Sequence, residues 1–258
     1  MLVNPRSSVP SNDAVTPAGS PIGPAASSLP VPSYLQEIYW WAYVHPWAVR
    51  VFEREWLVNL ILLGNYARLR DAALAEIGCQ AGGRTLQVAC VYGDLTVRLH
   101  EQLAAGDATL DVVDVMPIQL RNLQAKLPQG ANACLLHRDS TALGVADGTY
   151  DRVLVFFLLH EQPLAVRRRT VAEAVRVAKP GAKIVLVDYH RPHRWHPLRP
   201  AMRAMLRRLE PFALDLWHTE LAEYVPPEVP LASTAKRTYF GGLYQKVVLT
   251  RQAASGGS

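Results

Sequence analysis

A carboxylate stands at the end of one short apolar run, where it could hold a nucleoside. The run Val112-Val113-Asp114-Val115-Met116 reads as a buried strand, and the proline that follows it suits the first position of a helix. At the exposed tip of such a strand, a carboxylate can accept hydrogen bonds from both hydroxyls of a ribose. We therefore predict that Asp114 and Val115 bind a nucleoside cofactor. An acid that only stabilises the helix N-terminus is the alternative interpretation.

Possible metal ligands follow two later apolar runs. One run ends in the letters LHEQ, at residues 159–162, and the other in DYHR, at residues 188–191. A hard divalent cation such as Mn²⁺ or Mg²⁺ prefers carboxylate ligands with some imidazole. The predicted ligands are His160, Glu161, Asp188 and His190. The alternative is that His160 bonds to backbone at the strand end and that His190 lines a solvated loop.

Positive charge is concentrated in one segment, although the net charge of +5 is mild. Residues 191–208 contain six arginines and no acid, with Trp, Leu and Met side chains between them. This pattern predicts a basic amphipathic helix that could meet an anionic lipid surface, where each basic group contributes about 1 kcal/mol. An ordinary solvated helix face is the alternative. No nucleic-acid motif accompanies the charge.

These groups must be positioned by strands and helices that alternate along the chain. Strands are predicted at residues 85–89, 109–113, 133–137, 150–158, 183–187, 234–239 and 244–250. Helices are predicted at residues 94–103, 117–126 and 164–178. Two glycines at 241–242 join the last two strands as a hairpin. The alternation predicts an α/β fold with a doubly wound sheet, whose ligands bind at the carboxyl ends of the strands.

The N-terminal part of the chain has a different composition. Residues 1–33 are rich in Ser, Pro, Ala and Gly and are predicted to be a disordered tail. Residues 34–78 are predicted to be an aromatic-rich helical cap, broken at Pro46 and bent at Gly64. Eight aromatic residues fall between Tyr34 and Trp56. They suit either a membrane interface or a packing face against the core.

Composition excludes several classes of protein. Half of the residues are hydrophobic and 19% are charged, as in a globular protein. The three cysteines form no CxxC pair, which argues against a disulfide framework and favours a reducing cytoplasm. The longest apolar stretch has eight residues, whereas a bilayer span needs about 20. We expect no membrane-crossing segment and no signal peptide.

The turn after the first strand, LQVACVYGDLT at residues 86–96, is similar to a known cofactor turn. Methyltransferases that use S-adenosylmethionine (SAM) usually have an acid there, followed by Gly-Cys-Gly-x-Gly. Position and length match. However, Gln87 replaces the acid, Ala89 and Val91 replace two of the glycines, and only Gly93 remains.

Two further runs resemble the same enzymes. LGVADGTYDRV at residues 143–153 resembles LPFPDGSFDxV of the ubiquinone and menaquinone methyltransferases, and RVAKPG at residues 176–181 resembles their RVLKPGG. The resemblance implies a seven-stranded class I methyltransferase (Rossmann-like) sheet with a terminal antiparallel hairpin, formed by residues 79–252, beneath the N-terminal cap. It places the adenine amino group at Asp139. The implied SAM-binding residues are Ala89, Gly93, Asp114, Val115, Asp139 and Ser140.

From Tyr34 onward the chain also resembles the rhodoquinone-biosynthesis proteins, an offshoot of these methyltransferases. The resemblance rests on YWWAYVHP at residues 39–46, VACVYGDLT at 88–96 and FFLLHEQ at 156–162. It implies conversion of ubiquinone to rhodoquinone, in which SAM donates the amino group that replaces a ring methoxy and manganese assists. It further implies a protein located in the cytoplasm and peripherally associated with the inner membrane.

The altered turn has a physical interpretation under this resemblance. Gln87 removes a carboxylate that would hold the SAM ammonium, so a neutral amine forms more easily. Tyr92 adds bulk that could turn the amine toward the quinone ring. The implied catalytic residues are Tyr92, His160 and Gln87. A conventional quinol methyltransferase and a non-catalytic SAM-fold protein that binds quinone or a partner remain alternatives.

Overall fold

The computed structural model describes residues 29–37, 54–78 and 82–253. Within them, seven strands form one sheet in the order β3-β2-β1-β4-β5-β7-β6, with β7 antiparallel to both neighbours and β1 to β5 parallel. The strands are β1 Arg84–Val88, β2 Thr109–Asp114, β3 Ala133–His137, β4 Tyr150–Phe156, β5 Ala178–Tyr189, β6 Leu231–Tyr239 and β7 Tyr244–Arg251. The predicted seven-stranded class I methyltransferase sheet with its terminal hairpin is confirmed.

The main departure from the predicted boundaries is the length of β5. The strand begins at Ala178 and reaches Tyr189, beyond the predicted 183–187 on both sides. Ala178 pairs with Tyr150, the extra residues 179–182 of β5 form an irregularity before Lys183 pairs with Arg152, and Tyr189 pairs with Tyr244 of β7. Pairing with two neighbours thus extends the strand past its most apolar residues. Strand β4 was predicted to reach residue 158. It ends at Phe156, because Phe157 has a left-handed backbone with φ of 49°.

Seven α-helices lie in the described ranges. They are α1 Ser33–Glu37, α2 Glu55–Ile61, α3 Tyr66–Ile77, α4 Leu95–Ala104, α5 Pro117–Lys126, α6 Leu164–Val177 and α7 Arg199–Leu209. The predicted bend at Gly64 is present as a turn between α2 and α3, where Leu63 and Gly64 both have positive φ. Most of the predicted tail and residues 38–53 of the predicted cap lie outside the described residues.

The core lies on both faces of the sheet. Four successive β5 residues, 184–187, are at most 1% exposed, and successive strand residues point to opposite faces. Helix α3 packs against β4, β5 and β7 and buries Tyr66, Leu69 and Ala73, so the second half of the predicted cap belongs to this core. None of the helices in the described ranges is both long and apolar enough to cross a membrane.

Candidate active site

A cavity with about 620 Å³ of empty space opens at the carboxyl ends of β1 to β4. Five of the six predicted SAM-binding residues line it: Ala89, Asp114, Val115, Asp139 and Ser140. Parallel strands end at one edge of the sheet, which is why residues far apart in sequence meet here.

Asp114 joins the first turn to the end of β2. Its Oδ2 accepts a hydrogen bond from the Cys90 backbone N–H at 2.8 Å, and its Oδ1 accepts one from Met116 at 2.7 Å. A carboxylate has about four acceptor positions, and the Cys90 thiol also bonds to this one, so one position remains for a ribose hydroxyl. Burial raises the pKa of Asp114 to about 6, although both backbone donors oppose the rise. The prediction that Asp114 lies at an exposed strand tip is therefore wrong, because its side chain is buried.

Asp139 and Ser140 connect β3 with the segment after β4. Asp139 Oδ1 accepts a hydrogen bond from the Thr141 backbone N–H at 2.7 Å. Ser140 Oγ lies 2.9 Å from Thr170 Oγ1 and accepts from Gln162 Nε2 at 3.1 Å. Contacts between the segments that follow β3 and β4 therefore position the residues predicted to bind adenine.

A short N-terminal segment also borders the cavity. Tyr34 and Leu35 of α1 line it, and Leu35 packs with Met116. Burial raises the pKa of the Tyr34 phenol well above its usual range, as do the nearby Glu161 and Asp139 carboxylates, while a hydrogen bond with Gln162 opposes the rise. No sequence signal indicates that this helix would reach the predicted cofactor residues.

The first turn is strained at the position of a missing glycine. Ala89 has φ of 71°, the left-handed region, and its side chain borders the cavity. An L-residue in this conformation costs roughly 1–2 kcal/mol. Alanine at this position, where methyltransferases usually have glycine, therefore places a Cβ beside the cavity and lowers the free energy of unfolding.

We expect Ala89→Gly to raise the free energy of unfolding by about 1 kcal/mol, because glycine adopts positive φ without a Cβ clash. Denaturant unfolding measures the change. Ala204→Gly is the matched control, since Ala204 is exposed in the interior of α7 and its replacement should destabilise. An equal loss of stability in both variants would contradict strain at Ala89.

Gly93 does not border the cavity and packs against α3, so its role in cofactor binding stays a prediction. A Cβ on Gly93 would lie 2.5 Å from the Tyr66 hydroxyl oxygen. That oxygen accepts hydrogen bonds from the backbone N–H groups of Asp94 and Leu95, each at 3.0 Å. Arg70 Nη1 lies 2.7 Å from both carboxylate oxygens of Asp94. Helix α3 therefore occupies the donors at the start of α4, an arrangement that the sequence did not reveal.

Gln87 and Tyr92 do not border the cavity. The Gln87 side chain is fully buried, and its Nε2 donates to Ala89 O at 3.0 Å and to Thr96 Oγ1 at 2.9 Å. Tyr92 Oη accepts from Gln119 Nε2 at 2.8 Å. Gln87 therefore contacts the turn and α4, and Tyr92 contacts α5, so the catalytic roles of both stay predictions.

His160 and Asp188 form a buried pair at the ends of β4 and β5. His160 Nδ1 lies 3.0 Å from Asp188 Oδ1. Asp188 also accepts hydrogen bonds from the backbone N–H groups of Leu159, His160 and Tyr189 at 2.7–3.2 Å. Burial alone would lower the pKa of His160, but Asp188 outweighs it and raises the pKa to about 9. The imidazole is therefore protonated at neutral pH.

The predicted four-residue metal site is corrected. His160 and Glu161 are 3.8 Å apart, from Nε2 to Oε1, but His190 turns elsewhere. Its Nδ1 lies 2.8 Å from Gly242 O and its Nε2 lies 2.8 Å from Lys236 Nζ. In the described parts of the chain, no group of three His, Cys, Asp or Glu side chains could hold a metal ion. The residues present do not fit manganese.

An aromatic cluster surrounds His160 and adjoins the cavity. The His160 ring lies 5.0 Å from the Tyr189 ring and 5.8 Å from the Phe157 ring, between centroids. Phe157 also lies 5.8 Å from Tyr244 and borders the cavity with its strained backbone. The Tyr244 hydroxyl is buried without a hydrogen-bond partner among the described residues. The rings pack edge to face, and Phe157 is the member of the cluster that also borders the cavity.

A buried arginine fixes the segment that carries His160. Arg167 is 0% exposed and donates to the carbonyl oxygens of Leu159, Gln162 and Phe212 at 2.7–2.9 Å. In the sequence it is one of three successive arginines, so only the tertiary structure distinguishes it. Arg167 is a positioning residue for His160.

Comparisons with known proteins agree with this architecture. Residues 85–181 match the family model described as a methyltransferase domain. An uncharacterized methyltransferase of Synechocystis is 28% identical over 207 residues, covering 80% of this chain and 92% of the relative. The demethylmenaquinone methyltransferase of Lactiplantibacillus plantarum is 28% identical over 170 residues, covering 64% and 70%. A SAM-dependent methyltransferase structure from Aquifex aeolicus has a TM-score of 0.50 at 17% identity, covering 80% and 98%.

Proposed function

We propose that this chain, which has the class I SAM-dependent methyltransferase fold, transfers a group from SAM to the ring of a lipid-like quinone. One observation carries the proposal. Phe157 borders both the cavity that holds Asp114 and the aromatic cluster that holds His160. A cofactor bound at Asp114 and a ring held at the cluster would therefore lie side by side.

His160 has a role in either transfer. Its protonated ring can donate a hydrogen bond to an oxygen of the quinone ring and stabilise negative charge that develops there. Asp188 Oδ1 lies 3.0 Å from Nδ1 and Glu161 Oε1 lies 3.8 Å from Nε2, so Nε2 would be the donor to the substrate. The unpartnered hydroxyl of Tyr244 is a second donor for the same oxygen-bearing ring.

Methyl transfer is the reaction that the relatives favour. Demethylmenaquinone methyltransferases are among the proteins similar to this chain. In this reaction a ring carbon or oxygen of the quinol forms a bond to the SAM methyl group and the sulfur–methyl bond breaks. The quinol loses a proton, and the charged His160 stabilises the resulting ring oxygen.

Amino transfer, which would give rhodoquinone, is a second candidate that the first turn favours. Ala89 is strained beside the cavity, the Tyr66 hydroxyl occupies the donors at the start of α4, and Gln87 stands where the family has an acid. A methionine arm displaced by these features could present its amine to the ring. The amine would add to the carbon that bears a methoxy group, and methanol would leave, which gives a secondary amine that still carries the SAM skeleton. Transfer of the Cα hydrogen would convert this aminoquinone to an imine of the aminoquinol, with the quinone ring as the two-electron acceptor. Hydrolysis of the imine would then break the nitrogen–Cα bond and release an α-keto acid.

Doubly labelled SAM, with ¹³C in its methyl group and ¹⁵N in its amine, distinguishes the two reactions. Mass analysis of ubiquinol, ubiquinone and demethylated quinols after incubation should show one label in the ring product. A ¹³C label supports methyl transfer, and a ¹⁵N label with loss of methoxy supports amino transfer. If neither label appears in the product although SAM binds to the protein, the result would contradict group transfer from SAM and favour a non-catalytic quinone-binding protein.

A further inference from the structure

The segment after β5 forms a surface with a strong excess of positive charge. It begins directly after Asp188 and Tyr189, crosses residues 190–198 and continues into α7. A cleft here is lined by basic and imidazole side chains: His190, Arg191, His193, Arg194, Arg199, His218 and Lys236. Glu220 is the acid among the lining residues, and Lys236 pairs with it.

Helix α7 extends this charge as a stripe of arginines. Arg199, Arg203 and Arg207 are spaced by four residues and border one shallow groove, while Met202 and Leu206 are buried on an adjacent face of the helix. None of these arginines has an acidic partner among the described residues. Like charges four residues apart repel one another on a helix. The stripe therefore weakens α7, and its arrangement suits an external anion.

Exposed apolar side chains flank the arginines. Trp195 is 76% exposed, Leu209 is 46% exposed and Leu198 is 36% exposed. The Arg194 guanidinium lies 5.1 Å from the centre of the Trp195 ring. Tryptophan at the boundary of charged and apolar groups suits the interfacial layer of a bilayer.

We propose that the arginine face, defined as residues 191–209, binds the phosphate groups of an anionic phospholipid bilayer. The arginines would contact the phosphates, and Trp195, Leu198 and Leu209 would enter the interfacial layer. The purpose of this membrane binding rests on the proposed function. A lipid-like quinone would arrive from the membrane, and the arginine face adjoins the His160 cluster. A nucleic acid would use the charge but leave Leu198 and Leu209 exposed.

Cosedimentation with vesicles tests the proposal in the absence of SAM and quinone, so that it can fail or succeed independently of the enzymatic proposal. We compare Arg203→Gln/Arg207→Gln with the control Arg168→Gln/Arg169→Gln. Both pairs are exposed arginines on helices, and both changes remove two charges. On vesicles of phosphatidylcholine with phosphatidylglycerol, the first variant should bind about 30-fold more weakly than the unmodified chain. The control variant should bind as tightly as the unmodified chain.

Several outcomes would overturn the proposal. They are equal losses in both variants, equal binding to pure phosphatidylcholine vesicles, or binding to single-stranded RNA without binding to vesicles. Displacement by millimolar inorganic phosphate at constant ionic strength would indicate a small-anion site instead. Binding that is lost at high salt but resists such phosphate supports the bilayer. Thermal melting of both variants establishes that the fold is retained.

Discussion

Asp114→Asn is expected to weaken SAM binding by about 100- to 1,000-fold, because the ribose loses a charged acceptor and each charge-assisted hydrogen bond contributes roughly 1.5–3 kcal/mol. Calorimetric titration measures the affinity. The amide also cannot accept from both Cys90 and Met116, so some stability is lost and a thermal melt must accompany the titration. Unchanged affinity in a folded Asp114→Asn protein would contradict the cofactor site.

The pH dependence of this binding follows from the same carboxylate. Burial raises the pKa of Asp114 to about 6, and the ribose hydroxyls need the deprotonated form. Protonation below that pH removes acceptors, so SAM affinity should fall about tenfold for each further pH unit. Asp114→Asn should show no such dependence, whereas the exposed control Asp107→Asn should behave as the unmodified chain does.

The sheet could be predicted because its signals are local. Apolar runs of strand length, helices begun by Pro117 or ended near Pro180, and the glycines of the last hairpin all appear in continuous sequence. The full length of β5 could not be predicted in the same way. Its ends depend on partners in β4 and β7, and the residues Ala178 and Lys179 carry no strand signal of their own.

The cofactor side of the site was predictable for a related reason. Once the order of strands is known, the residues at their carboxyl ends must meet, and five of the six predicted SAM-binding residues do border one cavity. Two of the predicted site residues have contacts that distant elements determine. Gly93 faces Tyr66 of α3, and His190 faces Lys236 of β6. Nothing adjacent to either residue in the sequence signals these partners.

His160 illustrates the difference between finding a residue and knowing its chemistry. The sequence identified it as a candidate, but as a metal ligand and catalytic group whose charge was unknown. Only its contact with Asp188 shows that it is protonated at neutral pH. The positive charge that a metal would bring to a quinone oxygen can therefore come from this imidazole.

His160→Gln is accordingly expected to lower turnover by about 100- to 10,000-fold, the usual contribution of a positioned acid or base. SAM affinity should be retained, because Asp114 and Asp139 are unchanged. Isotope-labelled product formation measures turnover, and His100→Gln is the control for replacing a buried histidine elsewhere. Near-normal turnover in His160→Gln would show that another group stabilises the ring oxygen.

The pH–rate profile separates this chemical role from a structural one. Because Asp188 raises the pKa of His160 to about 9, turnover should be constant near neutral pH and decline as the pH rises through that value. Asp188→Asn removes the charge that raises the pKa, so the decline should move to lower pH in the protein that remains folded. A merely structural Asp188 would reduce the amount of active protein and leave the position of the decline unchanged. A decline that stays near pH 9 in Asp188→Asn would therefore contradict the charged-imidazole mechanism.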